Sequence, residues 1–254
     1  MNDLTGQVVL VTGGGRGVGR GLALALGSAG ARVVIATRRV EPGEAVVAEL
    51  ATAGADGLAV GCDVSRLADV RAAVAAAVDR FDRLDHIVHN ATSARSSEVA
   101  DLASLDPAVW KEHSAVALRA LHHLAREARR HLVSACGSLL VLTSPAGVEG
   151  SGTLPLYATV KAGQRGFVKA LAREWGPSGV RVNGLAPLAV SPALANAFLE
   201  NVELEARLAA ATPLGRVGDP ATDIGPAAVF LCSGAARYIT GQTLVVSGGR
   251  FTAL

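Results

Sequence analysis

Tyr157 and Lys161 stand four residues apart in the run Tyr157-Ala158-Thr159-Val160-Lys161, and Ser144 lies 13 residues upstream of the tyrosine. On a helix, this spacing puts the phenol and the ammonium on one face, one turn apart. A free tyrosine keeps its proton up to about pH 10, too firmly for exchange near neutrality. A neighbouring ammonium favours the phenolate and lowers that value. Ser144 follows an apolar run that ends in Thr143, where a hydroxyl can hold a substrate oxygen and polarise a carbonyl. The chemistry predicted is proton donation from Tyr157 to a carbonyl oxygen while hydride reaches the carbon, with Lys161 also binding ribose hydroxyls. The chain has only two tyrosines, so chance placement of this set is a poor explanation.

Such side chains must be held by a framework. Short β-branched runs at Val8–Val11, Val33–Ala36, Leu58–Gly61, Ile87–His89, Leu139–Leu142, Val180–Leu185 and Leu244–Val246 read as strands. They are nearly all apolar instead of alternating, which fits strands buried on both faces of a parallel sheet. Between them, Arg20–Ala29, Gly43–Ala53, Leu67–Phe81, Ala108–Val133, Tyr157–Trp175 and Thr222–Cys232 have helical length and composition. This alternation predicts an α/β, Rossmann-type doubly wound sheet with right-handed crossovers. Residues 187–213 interrupt the alternation between strands six and seven, with a helical piece at Ala193–Ala211, and read as a substrate lid. Leu194, Phe198 and Leu199 would line an apolar pocket beneath it.

The first strand runs into Thr12-Gly13-Gly14-Gly15-Arg16-Gly17-Val18-Gly19 and then a helix. Glycines permit a tight turn and close backbone approach to a pyrophosphate, which the helix N-terminus attracts. Gly13, Gly15, Arg16, Gly17, Val18 and Gly19 are therefore cofactor-binding candidates. Thr37 lies 20 residues past Gly17, where an acid would take the ribose 2′-hydroxyl of NAD. Thr37-Arg38-Arg39 supplies no acid, and Arg16 projects from the loop nearby. Guanidinium groups suit a 2′-phosphate through bidentate, charge-assisted hydrogen bonds. The expected cofactor is NADP, with NADPH preferred over NADH. Asp63, at the end of the third strand, is placed to accept from an adenine amino group with Val64 packed on the ring, or else to cap the following helix.

Bulk properties exclude other classes. With half its 254 residues hydrophobic and 18% charged, the chain buries a large core and reads as one domain, 1–254. A net charge of +2 from interspersed residues argues against nucleic-acid binding. No long apolar run argues for a membrane span, and the N-terminus lacks a signal-peptide pattern. Cys62, Cys136 and Cys232 are too scattered for a zinc site or disulfide framework and read as three buried thiols. A cytoplasmic location is expected.

These features together resemble the short-chain dehydrogenase/reductase family, in its single-domain branch. The resemblance runs from about Leu4 to Gly249. It rests on the glycine loop, Asp63-Val64, Asn90-Ala91, Ser144, Tyr157-x-x-x-Lys161, Arg181-Val182-Asn183 and Val246-Ser247-Gly248-Gly249. It implies a seven-stranded sheet in the order 3-2-1-4-5-6-7 and catalytic Ser144, Tyr157 and Lys161. It also implies that Asn90, Ala91, Pro187, Leu188 and Val190 line the nicotinamide half of the cofactor. A homotetramer, or a homodimer, is implied as well.

Four positions depart from the family pattern. Ala117 stands where the family places an Asn that holds a water in the proton path to the lysine, and His113 is the better substitute of its neighbours. Thr92 replaces a Gly, Leu188 another Gly, and Pro192 a Thr. Leu188 and Pro192 are expected at the pocket mouth, making it more apolar and the lid stiffer. The leading expectation is a reductase of ketones or 3-oxoacyl thioesters, or the reverse alcohol oxidation. The alternatives are an enoyl thioester reductase of the same family, and a cofactor-binding sensor or scaffold with little catalysis.

Overall fold

A computed structural model of the chain describes residues 3–99 and 101–252. The ends of the expected 1–254 domain, and the part of the N-terminal reading that falls on Met1 and Asn2, lie outside those residues.

Seven strands form one parallel sheet: β1 (Val8–Thr12), β2 (Arg32–Thr37), β3 (Gly57–Gly61), β4 (His86–His89), β5 (Ser138–Leu142), β6 (Arg181–Pro187) and β7 (Thr243–Val246). Their order is β3-β2-β1-β4-β5-β6-β7, as the family resemblance implied. Each predicted strand is present, with ends shifted by one or two residues. The order reverses between β1 and β4, where crossovers leave in opposite directions and a crevice opens beyond the strand ends. In register there, Thr12 of β1 faces His89 of β4, and His89 faces Val141 of β5.

Helices cover both faces. One face carries α1 (Gly17–Ser28), α2 (Glu41–Thr52) and α10 (Gly225–Cys232), which close a core that includes Leu22, Leu26, Leu50 and Leu231 over Val9, Val11 and Ile35. The other carries α3 (Leu67–Phe81), α5 (Ala120–Ala135) and α7 (Pro155–Trp175). On α3, Val70, Ala73, Val74, Ala77 and Phe81 recur at three- and four-residue steps and are buried, and Asp82 ends the helix at φ 63°. Each such Val or Leu contributes about 1.5–3 kcal/mol by leaving water.

Three predicted elements differ. The helix expected over Ala108–Val133 is α4 (Pro107–Ser114), a π-helical turn over Ala115–Arg119, and then α5. The widened turn frees the Ala117 carbonyl, which accepts from Gln164 Nε2 of α7 at 3.1 Å. The segment expected as a lid holds two helices, α8 (Pro192–Glu200) and α9 (Val202–Ala210), separated at Asn201, whose backbone is extended at φ −140° and ψ 92°. The helix expected over Thr222–Cys232 begins instead with a π turn, Pro220–Ile224, capped by Asp219. A short helix, α6 (Ala146–Glu149), precedes α7. Of the three cysteines expected inside, Cys136 is exposed, because it ends α5 in the left-handed region at φ 47°. No helix among the described residues is long and apolar enough to cross a membrane.

Candidate functional site

At the reversal point a cleft of about 1260 Å³ runs along the carboxyl ends of the strands. Its first wall is the glycine loop. Gly13, at φ 66°, would bring a Cβ to 3.0 Å from the Ala91 backbone. Gly17, at φ 54°, would drive a Cβ into the Pro192 ring. The loop is therefore pressed between β4 and the lid in a form that side chains would spoil. Helix α1 starts at Gly17, three residues before the predicted Arg20, so Gly17, Val18 and Gly19 sit in its first turn. Arg16 caps it with an extended backbone and no side-chain hydrogen bond, and the first turn holds no acid. Those free N–H groups and the helix dipole suit a pyrophosphate.

Asn90 locks this wall in place. Its Nδ2 donates to the carbonyls of Thr12 at 3.2 Å and Gly13 at 3.0 Å. The Asn90 side chain is thus committed to the loop, although Asn90 and Ala91 both line the cleft. Thr12 Oγ1 accepts from the backbone N–H groups of Asn90 and Ala91 at 3.1 and 3.2 Å. With both lone pairs used, its own proton is directed to His89 Nδ1 at 3.0 Å. This places the His89 proton on Nε2, which is buried, with the Val116 backbone the hydrogen-bonding group that acts on the ring.

At the far end of the cleft stand Thr37, Arg38 and Arg39 past β2, with Arg16 across from them. Thr37 Oγ1 donates to the Arg39 carbonyl at 2.6 Å and shapes the turn. Among the described residues, Arg16, Arg38 and Arg39 make no salt bridge and no side-chain hydrogen bond, so three guanidinium groups are free for an anion. Asp63 lies two residues past the end of β3, not on it. Its Oδ1 accepts from Ser65 N at 2.9 Å and Ser65 Oγ at 2.7 Å, and Arg66 is the N-cap of α3. Neither Asp63 nor Ser65 caps the helix. Val64 is buried beside Asp63 in the cleft wall.

Tyr157 and Lys161 line the cleft at its centre, with Ser144 behind Tyr157. Tyr157 and Lys161 project one turn apart from α7, with Lys161 Nζ 5.6 Å from the Tyr157 ring centroid. Ser144 follows β5, accepts from Ala146 N at 3.2 Å and hydrogen-bonds Tyr157. Lys161 is fully buried, which pushes its pKa down to about 8, and it donates to the Leu142 carbonyl at 2.6 Å. The expectation that the ammonium lowers the Tyr157 pKa is not met. Burial pushes the phenol up, with only the Ser144 hydrogen bond opposing it. The reason is geometric: the lysine is tied to Leu142, and desolvation dominates at the phenol.

Not every predicted residue reaches the cleft. Ser144 meets it only through its hydrogen bond to Tyr157, and Leu188 and Val190 do not line it. Leu188 N donates to Val246 O at 2.9 Å and Val190 N to Gly218 O at 3.0 Å, which ties this segment to the sheet edge. Pro187 and Pro192 do line it. From the lid, Ser191, Pro192, Ala193 and Asn196 face the cleft, whereas Leu199 is 84% exposed and points away. The apolar pocket expected from Leu194, Phe198 and Leu199 is therefore absent from the cleft lining. His113 is not the histidine beside Lys161. The lysine's charge acts on His89, whose pKa burial first and then Lys161 push down to about 3. Sequence reasoning missed Thr12, His89, Lys111, Glu112 and Arg119 in or behind the cleft wall. Two signals were available: a polar residue at each end of the apolar run His86-Ile87-Val88-His89, and Thr12 directly before the glycines.

The helix N-terminus and the free guanidinium groups of the cleft suit the phosphates of a dinucleotide. A family model described as enoyl-(acyl carrier protein) reductase matches residues 12–250. The 3-oxoacyl-[acyl-carrier-protein] reductase of Chlamydia pneumoniae is 34% identical over 97% of this chain and 97% of its own. The 3-ketoacyl-(acyl-carrier-protein) reductase of Brucella melitensis, solved with NADH, superposes with a TM-score of 0.89 at 32% identity, covering 98% of this chain and 100% of its own. The gluconate 5-dehydrogenase of Burkholderia cenocepacia, solved with NADP and tartrate, gives a TM-score of 0.90 at 30% identity, covering 100% and 98%.

Proposed function

The chain belongs to the short-chain dehydrogenase/reductase family of nicotinamide-dependent oxidoreductases, and we propose that within it this protein is an NADP(H)-dependent carbonyl reductase or alcohol dehydrogenase. The observation that carries this reading is the pairing of Tyr157, hydrogen-bonded to Ser144, with Lys161 in a cleft whose far end holds three unpaired guanidinium groups.

Gly13, Gly15, Gly17, Val18 and Gly19 would hold the pyrophosphate. Arg16, Arg38 and Arg39, with Thr37 shaping their turn, would hold a 2′-phosphate. Asp63 and Val64 would hold the adenine, and Asn90, Ala91 and Pro187 the nicotinamide half. The nicotinamide, when bound, supplies or accepts the hydride. Ser144 Oγ orients and polarises the substrate carbonyl. Tyr157 Oη gives its proton to that oxygen in reduction and takes it back in oxidation. A phenol held protonated by burial suits the donor role. Lys161, charged below about pH 8, holds the ribose and steadies the phenolate left behind. A homotetramer and a cytoplasmic location accompany this reading.

One observation favours a second reading, reduction of an enoyl thioester: the description of the matching family model. The hydroxyl-bearing Ser144 bonded to Tyr157 favours carbonyl chemistry. A screen of NADPH and NADH oxidation over ketones, 3-oxoacyl thioesters and enoyl thioesters separates them. NADPH with a ketone or oxoacyl substrate is the expected pair. Turnover of the enoyl substrates alone would overturn the carbonyl assignment. Binding of NADPH without turnover of any class would leave a cofactor-binding protein.

A further inference from the structure

A second chamber, of about 260 Å³, opens beside Tyr157. Its walls are segment 95–106 apart from residue 100, the inner face of α4, and the start of α7. Ser96, Leu154 and Tyr157 line both this chamber and the larger cleft, so the two spaces meet at the phenol. The wall is apolar where Val109 and Leu156 are buried with Leu105 packed on them. The charged residues around it are occupied: Arg95 pairs with Glu98 at 2.8 Å, and Asp106 caps α4 by accepting from Ala108 N at 2.8 Å.

One polar side chain of this lining is buried and incompletely matched. His113 is 4% exposed, and its Nε2 has no hydrogen-bond partner among the described residues. Burial pushes its pKa down, against a hydrogen bond to the Arg95 backbone and the charges of Glu112 and Glu98, and so favours the neutral ring. A buried polar atom left unmatched costs about 1–3 kcal/mol. In a chamber that meets the reacting residue, a substrate group can supply the match.

We propose that this chamber receives the part of the substrate beyond the reacting carbonyl, and that His113 is a specificity residue that hydrogen-bonds an oxygen carried there. This rests on Tyr157 being the proton donor. Size decides the substrate class. Sites for drug-sized ligands run to about 300–1,000 Å³, and this chamber is smaller. It takes a compact ring or branched group with one hydroxyl, not an extended acyl chain.

The test compares cyclohexanone with the hydroxycyclohexanones as substrates, following NADPH oxidation. Wild type is expected to prefer at least one hydroxylated ring by roughly tenfold or more in kcat/KM, the size of one matched buried hydrogen bond. His113→Leu should erase that preference, and His113→Gln should restore part of it. A rise in melting temperature with NADPH checks that each variant is folded. Leu105→Trp, which fills the chamber, should lower kcat/KM for the hydroxylated rings more than for acetone. Equal use of the rings by wild type, or a preference that survives His113→Leu, would overturn the chamber's role and leave Tyr157 untouched. No turnover of any carbonyl by wild type would instead overturn the proposed reaction, and this proposal with it.

Discussion

Tyr157 and Lys161 face opposite pressures from the same burial: the phenol is pushed up and the ammonium down to about 8. For carbonyl reduction this has a clear sign. Tyr157 keeps the proton it must give, while Lys161 holds its charge only below about pH 8. The expected profile of kcat/KM is therefore flat at lower pH and falls as pH rises through about 8. Lys161→Arg, slower but permanently charged, should lose that alkaline limb; a limb unchanged in the arginine variant would show that another group sets it. Tyr157→Phe should lower kcat by about 10²–10⁴, the usual worth of a proton donor, while NADPH still binds by fluorescence titration. Arg38→Asp replaces a free cation with an anion and should reverse the coenzyme preference, measured as the NADPH/NADH ratio of kcat/KM. At this scale the sequence carried the reacting set, because one helical turn separates Tyr157 from Lys161 whatever the rest of the fold does. It did not carry His89. Its role depends on Thr12, 77 residues away, whose hydroxyl fixes which imidazole nitrogen holds the proton.

Elements differ in how locally they are determined. Helix α3 ran as predicted, from Leu67 to Phe81, since its apolar spacing and its left-handed stop at Asp82 are local. The stretch before α5 did not. Its composition is helical throughout, yet a π turn occupies Ala115–Arg119 because Gln164 of α7 takes the Ala117 carbonyl. Gln164 is 0% exposed, so Gln164→Leu removes the donor and leaves that carbonyl unmatched. A loss of about 1–3 kcal/mol in urea-unfolding stability is expected; unchanged stability would mean that packing alone holds the turn. The lid also escaped a local reading. Its apolar residues at Leu194, Phe198 and Leu199 suggested a pocket, but neither α8 nor α9 buries a residue, and Pro192 is the lid residue pressed on the glycine loop.

Across the whole molecule, the parallel sheet brings the ends of β1, β4 and β5 together, and the cleft follows from that reversal of strand order. Ligand that binds only the folded chain stabilises it. At a hundredfold excess over Kd, NADPH should add about 2.7 kcal/mol, a rise of roughly 5–10 °C in Tm for a chain of this size. NADH at equal concentration should give a smaller shift; an equal shift would remove the case for the three arginines as a phosphate site. The sequence by itself determined the strand–helix alternation, the glycine loop before α1, the absence of an acid after β2 and the one-turn pairing of Tyr157 with Lys161. Each of these is written in residue type and short spacing, and the backbone periods of strand and helix translate them directly. Only the tertiary structure decided which residues border the reaction space. It set Leu188, Val190 and Leu199 outside the cleft, tied Asn90 to the glycine loop, and placed His113 beside a second chamber. Those outcomes depend on burial and on partners distant in sequence, which desolvate one group and satisfy another, and no local spacing encodes them.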